Sequence, residues 1–284
     1  MKEAIKKSEV LIEALPYIKN FFEKTFVIKY GGSAVDEKGI DPGILEDIMF
    51  MNYAGMRPII VHGGGPFISK MMKKAGIEPK FINGRRVTDA ASIHIIERAL
   101  GTINKNIVGA LRGMGAKAFG LSGRENNLIR VKKMKGEVDY GYVGEVTSVD
   151  TTVVKRLIRD NIIPVIYPLG TGRDGAIYNV NADDVASEIA VALNAEKFVL
   201  LTNVKGVLRD KKDSDSLYRT LKAIDAEKLI KRKVIDGGMI PKARSCINAI
   251  KGGVKKAHIL DASIPHALLL EIFTDKGIGT EIVK

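Results

Sequence analysis

Short apolar runs alternate with longer amphipathic stretches through most of this sequence, and this alternation restricts the fold more than any other feature. The runs at 26–30, 57–62, 162–168 and 197–202 have the length and apolar content of buried strands. The stretches between them carry apolar residues at helical spacing. Strands that alternate with helices are typical of a largely parallel sheet with helices on both faces. We therefore predict an α/β protein, a three-layer αβα sandwich around a largely parallel central sheet.

The same patterns give the expected bounds of the other elements. Helices are predicted at residues 44–53, 67–75, 90–99, 104–112, 149–160, 185–193, 225–231 and 267–273. Further strands are predicted at 117–121 and 258–260, a β-hairpin within 129–147, and a final edge strand at 279–283. A boundary near residue 190 would divide the chain into two lobes that hold different ligands.

The composition excludes several classes of protein. The net charge is +12, but the lysines are spread along the chain and aromatic residues make up only 6%, so we expect no nucleic-acid partner. A basic nucleic-acid binder stays as an alternative. The single cysteine, Cys246, excludes an internal disulfide, and the four histidines show no metal-ligand spacing. No apolar run approaches the length of a membrane span and no signal peptide is evident, so we expect a cytoplasmic protein without a membrane partner.

The residues before the first strand form a separate unit. Ile5, Leu11, Leu15 and Phe22 lie at or near helical spacing, and Pro16 interrupts the pattern once. We predict that residues 1–24 form an N-terminal helical arm in two pieces. Its apolar stripe has to be covered by its own domain or by a neighbouring subunit. We favour the neighbour, and so expect a homo-oligomer.

Two glycine-rich turns in the first half of the chain are suited to binding phosphate. The strand at 26–30 contains Lys29 and is followed by Gly31 and Gly32, so that a cation and several backbone N–H groups meet at its end. The strand at 57–62 ends in His62 and three glycines, Gly63–Gly65, before a helix. We expect His62 to anchor this loop rather than to act as a base.

Two further glycine-rich or polar turns occur in the second half. Residues 179–183 precede a long apolar helix, where Asn181 or Asp183 is suited to capping the helix. Residues 237–242 open another helix and bring a second lysine, Lys242, to its N-terminus. The G-x-G-x-x-G spelling at 170–175 is interpreted as a hairpin turn, because a strand pattern and not a helix follows it.

Taken together, these motifs resemble the amino acid kinase family, and within it the arginine-sensitive, hexameric N-acetylglutamate kinases, over about residues 25–284. The motifs that carry the resemblance are Lys29–Gly32, His62–Gly65, Arg86–Asp89, Asn179–Asp183 and Gly237–Lys242. The reaction implied is transfer of the γ-phosphoryl group of ATP, with Mg²⁺, to the side-chain carboxylate of N-acetyl-L-glutamate in arginine biosynthesis. Residues 25–190 would form the acyl-acceptor lobe and residues 191–284 the nucleotide lobe.

The resemblance also implies roles for single residues. Catalytic roles fall on Lys29, Lys242, Asp183 and Gly32, with Asp183 holding the two lysine ammonium groups in place. Substrate binding falls on Gly64, Gly65, Arg86 and Asn179, with Arg86 on the α-carboxylate and Asn179 on the acetamido end. The residues implied to contact the nucleotide are Lys29, Gly31, Gly32, Thr202, Lys205, Gly206, Val207, Gly238, Met239 and Lys242. No protein ligand to a metal is implied.

A regulatory site is implied near the C-terminus. His258, Glu271 and Gly277 match the pattern of the kinases that L-arginine inhibits, which also carry an N-terminal helix that joins dimers into a hexameric ring. The resemblance leaves open whether a PII-type signalling protein docks on such a ring.

The chain departs from the pattern at a few positions near the site. Arg85 replaces the usual leucine, Phe67 a polar residue and Asn203 an aspartate. The extra cation of Arg85 would favour a more anionic acceptor. Alternatives are therefore a kinase for N-acetylated or carrier-bound aminoadipate, then a uridylate kinase, or a non-catalytic arginine or nucleotide sensor.

Overall fold

The computed structural model describes residues 1–31, 40–82, 84–213, 215–274 and 276–284. The strands among these residues are β1 Thr25–Tyr30, β2 Arg57–His62, β3 Phe81–Ile82, β4 Arg85–Arg86, β5 Ala118–Ser122, β6 Ile129–Lys133, β7 Gly144–Val149, β8 Ile163–Tyr167, β9 Leu169–Gly172, β10 Ile177–Asn179, β11 Lys197–Thr202, β12 Thr220–Lys222, β13 Lys256–Asp261 and β14 Thr280–Val283. The α-helices are α1 Lys2–Phe21, α2 Pro42–Tyr53, α3 Gly65–Lys74, α4 Ala90–Gly113, α5 Thr152–Arg159, α6 Ala182–Ala192, α7 Ala223–Lys231, α8 Met239–Lys251 and α9 Ala267–Ile272.

The central sheet has eight strands in the order β12-β14-β13-β11-β1-β2-β8-β5. The β13–β14 pair is antiparallel, and the other neighbouring pairs are parallel. β1 lies in the interior of the sheet, with Phe26 opposite Lys197 of β11 and opposite Pro58 of β2. The prediction of a largely parallel sheet is confirmed.

Both faces of the sheet are covered by helices. Since successive side chains of a strand point to opposite faces, β1 contributes residues to the core on each side. Phe26, Ile28 and Tyr30 of β1 pack in one core with residues of α2, α4 and α9. Val27 lies in the other core, with residues of α6 and α8. The predicted three-layer αβα arrangement is therefore confirmed.

A smaller sheet, in the order β10-β9-β6-β7, lies beside the central one, and β7 packs on α6. Its β9–β10 pair is antiparallel, and the turn between the two strands contains Gly175 at a φ of +77°. The G-x-G-x-x-G spelling is therefore a hairpin turn, as predicted. β6 and β7 form the predicted hairpin within 129–147.

Two helices are longer than the sequence pattern predicted. α1 continues through Pro16 as one helix, so the prediction of two helical pieces was wrong. The proline removes one N–H donor, and Ile12, whose carbonyl loses that donor, is 67% exposed as a residue, so water can take the place of the lost bond. α4 joins the helices predicted at 90–99 and 104–112, because its buried residues recur at helical spacing on both sides of Gly101.

The last strand occupies a different place from the one predicted. β14 lies between β12 and β13 and is not an edge strand. The sheet continues past it because the short segment Thr220–Lys222, which has no strand-like pattern of its own, pairs with β14 in parallel. The division into two lobes near residue 190 stays a prediction. Among the described residues, no helix is both long enough and apolar enough to cross a membrane.

Candidate active site

The predicted phosphate-binding turns meet at one edge of the central sheet. β1, β2 and β11 are adjacent and parallel, so their carboxyl ends lie side by side. The residues that follow these ends are Gly31, the glycines Gly63–Gly65 and the segment that begins at Asn203. In open α/β sheets, ligands bind outside the carboxyl ends of the strands.

Two lysines and one aspartate form the charged centre of this edge. Lys29 Nζ lies 2.7 Å from Asp183 Oδ1, and Lys242 Nζ lies 3.5 Å from Asp183 Oδ2. Asp183 is in the first turn of α6, where the side chain of the N-cap residue Asn181 accepts a hydrogen bond from its backbone N–H at 2.8 Å. Three of the four residues that the resemblance assigned to catalysis are thus in contact, although 154 and 59 positions separate the two lysines from Asp183.

The electrostatics of this group favour charge stabilisation over proton transfer. Burial alone would raise the pKa of Asp183, but the Lys29 and Lys242 ammonium groups hold it below its ordinary value. Burial lowers the pKa of Lys29, and the negative charge of Asp183 opposes that shift. A carboxylate with a lowered pKa is a poor proton acceptor. The group therefore presents two cations held by one anion.

The glycine loop after β2 is held in place by the buried side chain of His62. His62 is fully buried, its Nδ1 donates to the Gly63 carbonyl at 2.8 Å, and its Nε2 accepts from Asn104 Nδ2 at 3.1 Å. Burial lowers the pKa of His62 to about 4, so the ring is neutral at physiological pH. This geometry agrees with the interpretation of His62 as an anchor. Asn104, on α4, gave no sequence signal for this contact.

A cavity of about 290 Å³ lies beside the charged centre. It is bounded by the glycine loop, by the β3–β4 pair and by the segment 179–183. Among its lining residues are Lys29, Gly64, Gly65, Arg86, Asn179 and Asp183. The residues assigned to substrate binding are therefore brought together, next to two of those assigned to catalysis.

Arg86 is a buried cation beside this cavity. Its side chain donates to the Gly65 carbonyl at 2.9 Å and to Ser69 Oγ at 2.8 Å, and its guanidinium lies 4.6 Å from the centre of the Phe81 ring. Burial lowers its pKa to about 10, which leaves it charged at neutral pH. No described carboxylate forms an ion pair with it. Such a cation favours an anionic ligand.

Arg85 points in a different direction from Arg86. Its Nη2 lies 2.9 Å from Asp184 Oδ2 on α6. The positive charge that was expected to favour a more anionic acceptor is therefore paired within the protein. No local sequence pattern indicates this ion pair, because 99 positions separate its two residues.

The residues assigned to the nucleotide occupy neighbouring strand and helix ends. Thr202 ends β11, Val207 N donates to Thr280 Oγ1 at 2.9 Å, and Gly206 between them has a φ of +144°. Gly238 is the N-cap of α8, and Met239 begins that helix. A second cavity, of about 840 Å³, is lined by Gly238 but not by Thr202, Lys205, Gly206, Val207 or Met239. Gly32 lies outside the described residues.

The residues assigned to arginine regulation form a second buried cluster. His258 Nδ1 and Glu271 Oε1 are 2.7 Å apart, and Glu271 Oε2 accepts hydrogen bonds from the N–H groups of Ile278 and Gly279. Gly277 has a φ of +57°, and a Cβ there would approach Glu271 Oε2 to 2.7 Å. The structure therefore brings the three assigned residues together.

Lys197 joins this cluster and was missed by the sequence reasoning. It begins β11, is only 7% exposed, and its ammonium lies 5.2 Å from the centre of the Phe21 ring at the end of α1. Burial lowers its pKa, and Glu271 opposes that shift. His258 Nε2 is buried and has no hydrogen-bond partner among the described residues.

Comparison with known proteins places these sites in context. The amino acid kinase family matches residues 24–261. The acetylglutamate kinase of Petrotoga mobilis is 51% identical over 283 residues, which cover 99% of this chain and 95% of that protein. Two structures of N-acetylglutamate synthase from Neisseria gonorrhoeae superpose on 98% of this chain with a TM-score of 0.84 and 27% identity. One is complexed with coenzyme A and N-acetyl-glutamate, the other with coenzyme A and L-arginine, and this chain spans 63% and 65% of their lengths.

Proposed function

The chain belongs to the amino acid kinase family, and from this premise we propose that it uses ATP to phosphorylate the side-chain carboxylate of N-acetyl-L-glutamate in arginine biosynthesis. It is an enzyme of the acetylglutamate kinase type, a phosphotransferase with a carboxyl group as acceptor. The observation that carries the proposal is identity of about one half to acetylglutamate kinases over nearly the whole chain. The contact of Lys29 and Lys242 with one carboxylate supports it.

The charged centre suits this reaction because the obstacle is electrostatic. A carboxylate acceptor has a pKa of about 4 and is already ionised, so no general base is needed. An anion must instead approach the polyanionic end of ATP. Lys29 would stabilise the transferring phosphoryl group from the β1 side and Lys242 the leaving oxygen from the α8 side. Asp183 would hold both ammonium groups in position.

The cavity beside this centre would hold the acceptor. Arg86, a buried cation that pairs with no carboxylate among the described residues, would bind the α-carboxylate of N-acetylglutamate. Asn179, whose Nδ2 lies 3.2 Å from Thr88 Oγ1, would orient the acetamido end. The backbone N–H groups of Gly64 and Gly65 would contact the phosphoryl oxygens, together with Gly32.

ATP would lie across the ends of β1, β11 and α8. The residues proposed to contact it are Lys29, Gly31, Gly32, Thr202, Lys205, Gly206, Val207, Gly238, Met239 and Lys242. Mg²⁺ would enter with ATP. No cluster of three or more histidine, cysteine or acidic side chains suited to a metal occurs in the described part of the chain, so phosphate oxygens and water would supply most of its ligands.

An ATP-coupled hydroxamate assay with N-acetyl-L-glutamate tests this function. We expect turnover by the wild-type chain, and a kcat lower by about two to three orders of magnitude in Lys29→Ala and in Lys242→Ala, because each removes one cation from the transferring group. Lys132→Ala, which removes an exposed lysine paired with Glu145, is the matched control. Near-normal turnover in either active-site variant would reject the mechanism. Faster turnover of N-acetylated aminoadipate or UMP would select one of the alternative acceptors.

We further propose that L-arginine inhibits the enzyme at the cluster of His258, Glu271 and Gly277. His258 Nε2, which has no hydrogen-bond partner in the described part of the chain, and the buried cation of Lys197 support a ligand here, since buried polar groups are normally satisfied. The similar synthase is described in complex with L-arginine. Phe21, beside Lys197, would connect this site to the N-terminal arm.

The arm itself supports the proposal of a homo-oligomer, a dimer that assembles further into a hexamer. Its C-terminal end packs on its own domain, where the Phe21 and Phe26 rings meet at 5.4 Å. Toward its N-terminus, Ile5, Leu11 and Ile12 are between 51% and 68% exposed. A neighbouring subunit would cover these side chains.

A further inference from the structure

Two adjacent arginines of β4 hold the β3–β4 hairpin on two different supports. Arg86 donates to the Gly65 carbonyl and to Ser69 Oγ, both on α3. Arg85 instead reaches Asp184 on α6, at 2.9 Å. The hairpin therefore spans the acceptor cavity. Arg86 attaches it to α3 on the side of the glycine loop, and Arg85 attaches it to α6 on the other side.

Asp184 connects Arg85 to the charged centre. It follows Asp183 directly, and its backbone N–H donates to Asn181 Oδ1 at 3.2 Å within the same helix turn. Its Oδ1 lies 3.4 Å from Ser245 Oγ on α8, three positions after Lys242. The side chain of Arg85 is thus tied to the two helices that carry Asp183 and Lys242.

The hairpin depends on these side-chain contacts because its own pairing is minimal. Among the described residues its ladder has two residue pairs, Phe81 with Arg86 and Ile82 with Arg85, and one flanking backbone bond from Val87 N to the Lys80 carbonyl. Isolated hairpins, even much longer ones, are marginally stable at best. Arg85 also lines both the 290 Å³ and the 840 Å³ cavities, so it stands between the acceptor cavity and the larger space beside it.

We propose that the Arg85–Asp184 ion pair is a latch that fixes the β3–β4 hairpin across the acceptor cavity, which makes Arg85 a positioning residue for the acceptor. The identity of that acceptor rests on the function proposed above. The side chains of Arg85 and Asp184 are 28% and 36% exposed, so the pair is only partly shielded from water and its effect is moderate.

Steady-state kinetics of Arg85→Leu, which keeps the apolar stem and removes the charge, test the latch. We expect KM for the acceptor to rise about five-fold, with kcat and KM for ATP within two-fold of wild type. Asp184→Asn should raise the same KM, and the double variant should rise no further than either single one, because both remove one interaction. Arg85→Lys should recover part of the loss. Equal increases in both KM values, or additive effects in the double variant, would overturn the proposal.

Hydrogen exchange of the free enzyme gives a readout that needs no substrate. Backbone amides of the hairpin should exchange faster in Arg85→Leu than in wild type, and unchanged exchange would overturn the latch even if KM rises. The matched control is Arg57→Leu, which removes a 2.8 Å ion pair with Glu23, remote from the cavity, and should leave hairpin exchange and the acceptor KM unchanged. If the wild-type chain does not use N-acetylglutamate, the proposed function fails, while the exchange result still decides the latch.

Discussion

Gly31 is the residue whose missing side chain leaves room for the Lys29 ammonium. A Cβ at this position would overlap Lys29 Nζ and lie 2.7 Å from Lys29 Cε. In Gly31→Ala, Lys29 has to turn away from Asp183, and we expect kcat to fall by about 10²-fold or more, as when a single oriented donor is lost. Steady-state kinetics with saturating ATP and acceptor measure this.

Gly113→Ala is the control for Gly31→Ala. Gly113 is the last residue of α4, and no atom lies within 4 Å of a Cβ built there. We expect Gly113→Ala to keep the wild-type kcat. That result would exclude a general effect of replacing a glycine with alanine. A Gly31→Ala enzyme with normal kcat would show that the observed position of Lys29 is not required for turnover.

The residues that the sequence predicted best are those whose local pattern has a physical meaning. Neighbouring residues in the sequence were enough to identify the glycines at strand ends and Lys29 beside them. The same holds for Asn181, which precedes an apolar helix. Arg85 and Lys197 were not identified in this way, because their partners are remote along the chain. In the sequence Lys197 looks like an ordinary solvated lysine at the start of a strand, and its contact with Phe21 of α1 is evident only in the structure.

An aspartate of α2 caps the N-terminus of α9 and so joins the two helices. Asp47 of α2 is fully buried, and its Oδ1 lies 2.6 Å from His266 Nδ1, just before α9. Its Oδ2 accepts from Leu268 N at 3.3 Å. α9 carries Glu271 of the proposed arginine site, so one carboxylate connects that helix to α2.

This contact gives the stability of the protein a pH dependence. The hydrogen bond and the charge of Asp47 raise the pKa of His266 above its ordinary value of 6.5, with a smaller contribution from Glu46. A raised pKa means that the stabilisation is fully present below pH 6.5 and is lost as pH rises through the folded-state pKa. His266→Asn removes the charge but tolerates the φ of +55° at this position.

Urea unfolding at pH 6 and pH 9 measures the contribution of His266. Because its side chain is 53% exposed, we expect the unfolding equilibrium constant of His266→Asn to exceed that of wild type by about two- to five-fold at pH 6. At pH 9 the two proteins should unfold alike. A difference of the same size at both pH values would show that the loss is one of packing and not of charge.

At the scale of elements, strands and short helices were predicted closely, and the errors concern continuity and neighbours. β2 and β11 have the predicted bounds, because each is an apolar run between polar residues. α4 was divided at Gly101, since propensity disfavours glycine, although the buried stripe of the helix continues. The position of β14 depends on pairing with β12, which no local pattern indicates.

The arm makes the quaternary structure of the whole molecule testable. Leu11 and Leu15 are 68% and 56% exposed, so replacing both with glutamate leaves the domain core intact. We expect sedimentation to show a hexamer for wild type and a smaller species for Leu11→Glu/Leu15→Glu. The L-arginine concentration for half-inhibition should rise several-fold in the variant, with unchanged kcat without arginine.

Glu13→Ala is the control for the arm variant, because Glu13 is exposed and lies on the opposite side of α1 from Leu11 and Leu15. It should assemble and respond to arginine as wild type does. Identical sedimentation of wild type and Leu11→Glu/Leu15→Glu would contradict assembly through the arm. Unchanged activity of the wild type at high arginine would contradict feedback control.

The interior position of β1 also governs when the molecule can be completed during synthesis. β1 is translated well before β11, one of its two neighbours in the sheet, which begins at Lys197. Contacts between such distant segments are formed slowly in folding. Lys242, the second cation on Asp183, is translated later still. A nascent chain therefore cannot form the contact of both lysines with Asp183 until α8 has been made.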